Sequence, residues 1–290
     1  MIYETVPTTA RRIWGALRDG DGRPVGEMYW LSHDEGGSSS LVDRRGGTAS
    51  VGGLVRAGLL PARDSVYPLL VKTLHPAREL SVQVHPGLNG GPRKDETWIV
   101  LKADPEAWMM GGLRDGVGRK DFEVAIRHGR AEEVLVRIGL SAGDVVHIPA
   151  GAVHSLGGGL EVLEVQSNTD VTYRLYDWNR TGADGRPREL HLERGLEAVD
   201  YARLGRPVTL PGRADLPSLQ SPYGLRDVDG PTELTAGELL FVTDGQARLD
   251  GRTVEARSCL LADAEGGRVD LDGRGVAAVP ESAQTASKGL

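Results

Sequence analysis

The sequence predicts a mainly β protein, an antiparallel sandwich or barrel arranged as two units. Three observations lead there. Short apolar or alternating runs recur along the chain, separated by Gly, Pro, Asp and Asn: "YPLLVKTL", "LSVQVHP", "TWIVLKA", "DVVHIPA", "LEVLEVQ", "VTYRLYDW" and "ELLFVTDG" are examples. Helical periodicity is confined to "AREL" at 77–80, "VAIRHGRAEEVLVRIG" at 124–139 and "LHLERGLEAVDYARL" at 190–204. A stretch rich in Pro, Gly and Ser, "LGRPVTLPGRADLPSLQSPYG" at 204–224, reads as a linker or long crossover, and more short runs follow it. The expected division is therefore 1–203 and 204–290.

All seven histidines (33, 75, 85, 128, 147, 154 and 191) precede the linker. Any imidazole-held metal belongs to the first unit, and the second is expected to be metal-free. Hydrophobic residues make up 39% of the chain and charged ones 26%, a balance that buries a core and stays soluble. A net charge of −7 argues against a broad nucleic-acid surface. An anionic substrate needs a local cluster of positive charge instead. Only five of the 34 basic residues are lysines, so a retained lysine points to a place where an ammonium is wanted. No apolar run reaches the ~20 residues of a spanning helix, so no membrane association is expected. The opening "MIYETVPTTARRIWG" has no apolar signal core, and the single Cys259 excludes an internal disulfide. These features together point to the cytoplasm.

In a strand, residues i and i+2 share a face, about 6.6–7 Å apart. Ser81, Gln83 and His85 in "SVQVHP" therefore project together. A Gly-rich loop, "GLNGGP", leads to "DETWIVLKA", which as the next strand sets Glu96 opposite them, with Lys94 two residues earlier. In "GDVVHIPAGAVHSL" at 143–156, Asp144 to Ile148 alternate as a strand, Pro149 to Gly151 form a tight turn, and His154 follows. Gly143, Pro149, Gly151 and His154 resemble the G-x5-P-x-G-x2-H pattern of a cupin barrel, in which the turn aims the last His into the barrel mouth. Taken singly, each of these residues reads as structural, as do His33, His75, His128, His147 and His191. Taken jointly, Gln83, His85, Glu96 and His154 suit a first-row metal and leave coordination positions open. With one anionic ligand the ion keeps net positive charge and can polarise hydroxyl or carbonyl oxygens.

At this point the chain resembles type I mannose-6-phosphate isomerase, and within it the short bacterial branch. The likeness is carried by "RRIWG", "PVGEMYWLS", "YPLLVKTLHPARELSVQVHP", "KDETWIVLKA" and the run from "GDVVHIPAG" to "GLEAV", over about residues 10–200; "TYRLYDWNR" with the later "RELH" is its most specific part. The resemblance implies a cupin (jelly-roll) fold with few helices, a metal-binding N-terminal barrel and a metal-free C-terminal one. It implies one Zn²⁺ per chain, held by Gln83, His85, Glu96 and His154. It places Lys94 and Arg174 in catalysis and Ser81 and Lys72 on the substrate phosphate. The implied reaction interconverts mannose 6-phosphate and fructose 6-phosphate through an enediol, so the implied partner is a small sugar phosphate.

The chain departs from the family at "GLNGG" after His85 and Pro86 and at Gly157 to Gly159, both expected at the mouth of the site, where a different sugar phosphate would be selected. On strand alternation, Arg174 and Tyr176 share one face of "VTYRLYDW" and Tyr173, Leu175 and Asp177 the other. Two other classes use the same barrel. An iron cupin oxygenase prefers paired imidazoles, and Gln83 counts against it. A non-catalytic sugar-phosphate-binding cupin has no need of four ligands together with Lys94 and Arg174.

Overall fold

The computed structural model describes the chain apart from residues 34–38, 44, 88–90, 183–184, 204–207, 211–221, 250 and 281–290, and apart from the side chains of 203 and 208–210. Most of the expected linker and the centre of the "GLNGGP" loop therefore lie outside the described residues. The fold is mainly β, with short α-helices at Val51–Arg56, Arg119–Arg127 and Leu192–Ala198.

Two compact units form, each assembled from separate stretches of the chain. One comprises Met1–Thr8, Met28–Lys72 and Arg213–Leu290; the other comprises Thr9–Glu27 and Thr73–Gly212. Strand pairing is the reason. In the first unit, the Ile2–Val6 strand pairs antiparallel with Ser258–Ala262 on one side and with Ser40–Asp43 on the other. A local pattern marks a run as a strand without saying which distant run completes it. This unit packs Leu240, Val242, Leu260, Val269 and Ala277 in its core.

The second unit carries the histidine-rich motifs. Its five-stranded sheet runs Leu135–Gly139, Trp108–Leu113, His154–Leu156, Val82–Val84 and Tyr173–Tyr176. In its other sheet Val208–Leu210, Val145–Ile148, Glu96–Ala103 and Leu160–Ser167 lie side by side. Trp98, Val146, Ile148 and Val162 from the latter pack with Met109 and Leu156 from the former, giving a two-layer apolar interior. The outer face of the five-stranded sheet buries Val82, Val84 and Leu175 against Phe122, Ile126, Leu196 and Ala198 of two helices. Alternation thus turns Val82 and Val84 toward the helices and leaves Gln83 for the opposite face.

The helical expectations are partly redrawn. "AREL" is not helical: the Ala77 and Arg78 amides donate to Trp14 O, and Leu80 N donates to Leu156 O. The expected helix over 124–139 is broken at Gly129, whose φ of 68° closes the Arg119–Arg127 helix. There Arg130 N donates to Ala125 O and Gly129 N to Ile126 O, the two bonds of a Schellman cap. The remainder becomes a 3-10 turn at Ala131–Val134 and the Leu135–Gly139 strand.

Candidate active site

Two strand registers build the site. His154 stands directly opposite Gln83, and on the other side of Gln83 stands Arg174. Directly opposed residues share a face, so His154, Gln83 and Arg174 form a row across the five-stranded sheet. From the other sheet, Glu96 opens the Glu96–Ala103 strand, opposite Ile148 on one side and Gln166 on the other. The turn expected at Pro149–Gly151 is present, with Ala152 N donating to Pro149 O and Gly151 N donating to His85 O at 3.0 Å. It ties the segment before His154 to the backbone of His85.

His85, Glu96 and His154 are buried, and their ligand atoms lie within 4.8 Å of one another. Glu96 Oε2 is 3.0 Å from His85 Nε2, and Glu96 Oε1 is 3.2 Å from His154 Nε2. The Lys94 ammonium lies 3.1 Å from Glu96 Oε2. The Gln83 side-chain amide meets His154 Nε2 at 3.1 Å. Turning that amide by 180° presents its oxygen at the same point.

The tautomers decide what this arrangement fits. His154 Nδ1 faces Ala152 O at 2.9 Å, and His85 Nδ1 faces Val171 O at 3.3 Å. A carbonyl only accepts, so Nδ1 carries a hydrogen in both rings, and Nε2 is the atom that each ring turns toward Glu96. Burial, joined by the charge of Lys94, pushes the His85 pKa down to about 3, so that ring is neutral. Burial works against ionisation of Glu96, but the charge of Lys94 and the two imidazoles that face it together outweigh burial and hold the carboxyl well below its usual range. A lone pair and a carboxylate oxygen thus face each other at 3.0 Å. His85 Nε2 and Glu96 Oε1 are buried without a hydrogen-bond partner. A cation among these atoms satisfies all of them, so the residues fit a divalent metal.

Trp98 sets its ring edge-on to His154 at 5.5 Å and donates from Nε1 to Glu164 Oε2 at 3.1 Å. Arg174 donates from Nη1 to Glu189 O at 2.8 Å, while its Nε is buried without a partner. Burial and the nearby Arg188 lower the Arg174 pKa. Ser81 is buried two residues before Gln83. Lys72 is also buried, its ammonium 5.5 Å from the centre of the Tyr29 ring, and it belongs to the other compact unit.

One face assignment is corrected. Alternation puts Tyr176 beside Arg174, but the register shifts between them, so that Arg174 opposes Gln83 and Tyr176 opposes Val82. The extra residue turns Tyr176 to the helix side, where it packs with Leu175. Two buried polar residues escaped the sequence reading, Glu164 and Gln166, which oppose Trp98 and Glu96 across the sheet. Their signal was a pair of polar residues two apart in the otherwise apolar "VLEVQ". The other five histidines make structural contacts. His33 Nδ1 accepts from Tyr67 N, and His191 Nδ1 accepts from Arg174 N. His75 and His147 meet threonine hydroxyls, and His128 Nδ1 meets Val124 O.

No protein-family model matches the chain. It is 37% identical over 141 residues to mannose-6-phosphate isomerase ManA of Bacillus subtilis (strain 168), covering 46% of this chain and 44% of that relative. It is 33% identical over 217 residues to a second protein of that strain, probable mannose-6-phosphate isomerase GmuF, covering 69% of each chain. The matched stretch thus spans less than half of the first relative. Among solved structures it is similar to the mannose 6-phosphate isomerase from Bacillus subtilis, with a TM-score of 0.77, 22% identity, and coverage of 96% of this chain and 98% of that one. At that identity the likeness speaks for the fold alone, which is the cupin fold the motifs imply. With 33% identity maintained over 69% of its length, the chain belongs to the mannose-6-phosphate isomerase family.

Proposed function

We propose that the protein interconverts mannose 6-phosphate and fructose 6-phosphate, with one zinc ion per chain held by Gln83, His85, Glu96 and His154. The observation that carries this reading is the buried Glu96 carboxylate faced by two imidazole nitrogens, in a chain of this family. Bound there, zinc supplies a Lewis acid for the oxygens of the open-chain sugar.

The chain's own residues account for the rest. Lys94 Nζ lies 3.1 Å from Glu96, and its neutral amine is our candidate for taking the proton from C2 and returning it at C1. Trp98 and its apolar neighbours keep water from one side, so charge developing on the sugar is less screened. Arg174, in one row with Gln83, brings positive charge and an unused N–H toward that charge. Ser81 and Lys72 are assigned to the phosphate on the family resemblance. Among the described residues no helix is long and apolar enough to cross a membrane, and we place the reaction in the cytoplasm.

The test is a panel of hexose phosphates with zinc-loaded protein, read as aldose–ketose conversion. Conversion of mannose 6-phosphate supports the reading. A thermal upshift with sugar phosphates but no turnover of any would replace it with a binding role. Native iron with oxygen uptake would replace it with an oxygenase.

A further inference from the structure

Asp95 stands between Lys94 and Glu96, and alternation turns its side chain away from both. On that outer side a carboxylate is expected to reach solvent, yet Asp95 is wholly buried. Its Oδ1 accepts from the Ala150 backbone N–H at 3.2 Å, inside the turn that precedes His154. Arg93 closes on the same carboxylate, with Nε 2.5 Å from Oδ2 and Nη2 2.9 Å from Oδ1.

The Asp95 backbone is held as firmly. Ser167 N donates to Asp95 O at 3.0 Å, and Asp95 N donates to Ser167 Oγ at 3.3 Å. Next to this, Lys94 N donates to Pro86 O at 3.2 Å and Gly151 N donates to His85 O. Gly87, at φ 139°, lets the segment after His85 press in here: a Cβ on it would lie 2.8 Å from Arg93 Cα and 3.0 Å from Ala150 Cβ. Three segments therefore meet around Asp95: its carboxylate joins the turn before His154 to the segment before Glu96, and backbone bonds from Lys94 N and Gly151 N tie in the segment of His85. They carry His85, Glu96 and His154, and Asp95 touches none of those three side chains in the contacts described.

We infer that Asp95 is a positioning residue that fixes the spacing of Glu96 and His154 before an ion binds. The inference rests on the metal reading of the previous section. A carboxylate that anchors a ligand-bearing turn preorganises the site, and loss of such a partner typically weakens metal affinity about 10- to 100-fold. Both the bond to Ala150 and the pairing with Arg93 contribute. Asp95→Ala removes both. Asp95→Asn keeps an oxygen for Ala150 N but loses the charge held by Arg93. Arg93→Met leaves Asp95 in place without its clamp, at a side chain that is 56% exposed.

The experiment is zinc affinity of metal-free protein by competition with a chromogenic chelator, with circular dichroism of each variant to establish folding. The expected order is wild type tightest, Asp95→Asn and Arg93→Met weaker, and Asp95→Ala weakest by about 10- to 100-fold. A residue that only props up the fold would lower the melting temperature and leave the affinity of the folded fraction alone. Wild-type affinity in folded Asp95→Ala overturns the inference while leaving the metal reading intact. If Asp95→Ala does not fold, Arg93→Met decides, and wild-type affinity there overturns it equally. Absence of zinc binding by the wild type overturns both readings.

Discussion

Lys94→Met separates two roles that a loss of activity alone would merge. Lys94 and Glu96 are 2% and 1% exposed and 3.1 Å apart. At an effective dielectric of about 20, unit charges at that separation attract by about 5 kcal/mol. Desolvation of both groups offsets much of this. Removing one partner, however, leaves the other charge buried and uncompensated, which costs ~3–5 kcal/mol. In metal-free protein, Lys94→Met should therefore lower unfolding stability by about that amount, read by urea unfolding in the presence of a chelator. With zinc bound, the ion supplies the missing positive charge beside Glu96, so the deficit should shrink. Zinc affinity should be retained or raised, because a competing cation is gone. Isomerase activity should fall by about 100- to 10,000-fold if Lys94 carries the proton. Two results would refute the reasoning: metal-free Lys94→Met as stable as wild type, or zinc-loaded Lys94→Met turning over within about threefold of wild type.

Other predictions follow from the same structure. His154→Ala and Glu96→Ala should each lose zinc on dialysis together with activity, and full activity with zinc retained in either would remove that residue from the metal site. Asp177 is 6% exposed in its side chain and grips Arg180, with Nη2 at 2.9 Å, and Arg188, with Nε at 2.8 Å. Asp177→Asn should cost ~3–5 kcal/mol at neutral pH, because two guanidinium groups lose their counter-charge. Burial opposes Asp177 ionisation, but Arg188 and Arg180 outweigh it and lower the pKa, so the contribution is present above the unfolded value of about 3.9 and fades as pH falls through the folded value. Urea unfolding below pH ~4 should accordingly show wild type and variant converging, and a gap unchanged from neutral pH would refute the assignment. Gly15→Ala places a Cβ 2.3 Å from the Val25 backbone carbonyl, and a thermal melt should show a loss of about 1–3 kcal/mol.

Much of the site was legible because its signals are local. Q-x-H on one strand, an acid opening the next, and P-x-G-x2-H state residue type, spacing and face together, and the structure brings Gln83, His85, Glu96 and His154 into one cluster. The row from His154 through Gln83 to Arg174 was only half legible. Alternation gives the face of each residue, but the register that aligns the three strands is a tertiary choice. The shift after Arg174 defeated the alternation outright, since one extra residue reverses every face beyond it. Asp95 was silent for a related reason. A carboxylate pointing away from a barrel reads as solvated, and only the approach of Ala150 and Arg93 from other segments makes it internal. The helix expected over 124–139 ran together the end of a helix, a 3-10 turn and a strand, and Gly129 carried the stop signal after the first of them.

The pairing of Ile2–Val6 with Ser258–Ala262 also bears on how the chain is made. Glu4 waits for Leu260, roughly 250 residues further on, and at ~5–20 residues per second the ribosome needs on the order of 10–50 s to deliver it. Ser40–Asp43 is synthesised early and can cover one side of the first strand soon after it emerges. The other side stays open until Leu260 has been delivered, presenting unpaired N–H and C=O groups to any nascent chain nearby. Polysomes crowded with this message are where chaperone demand should concentrate, and slowing elongation should lower soluble yield more than it would for a protein whose first strand pairs only with early neighbours.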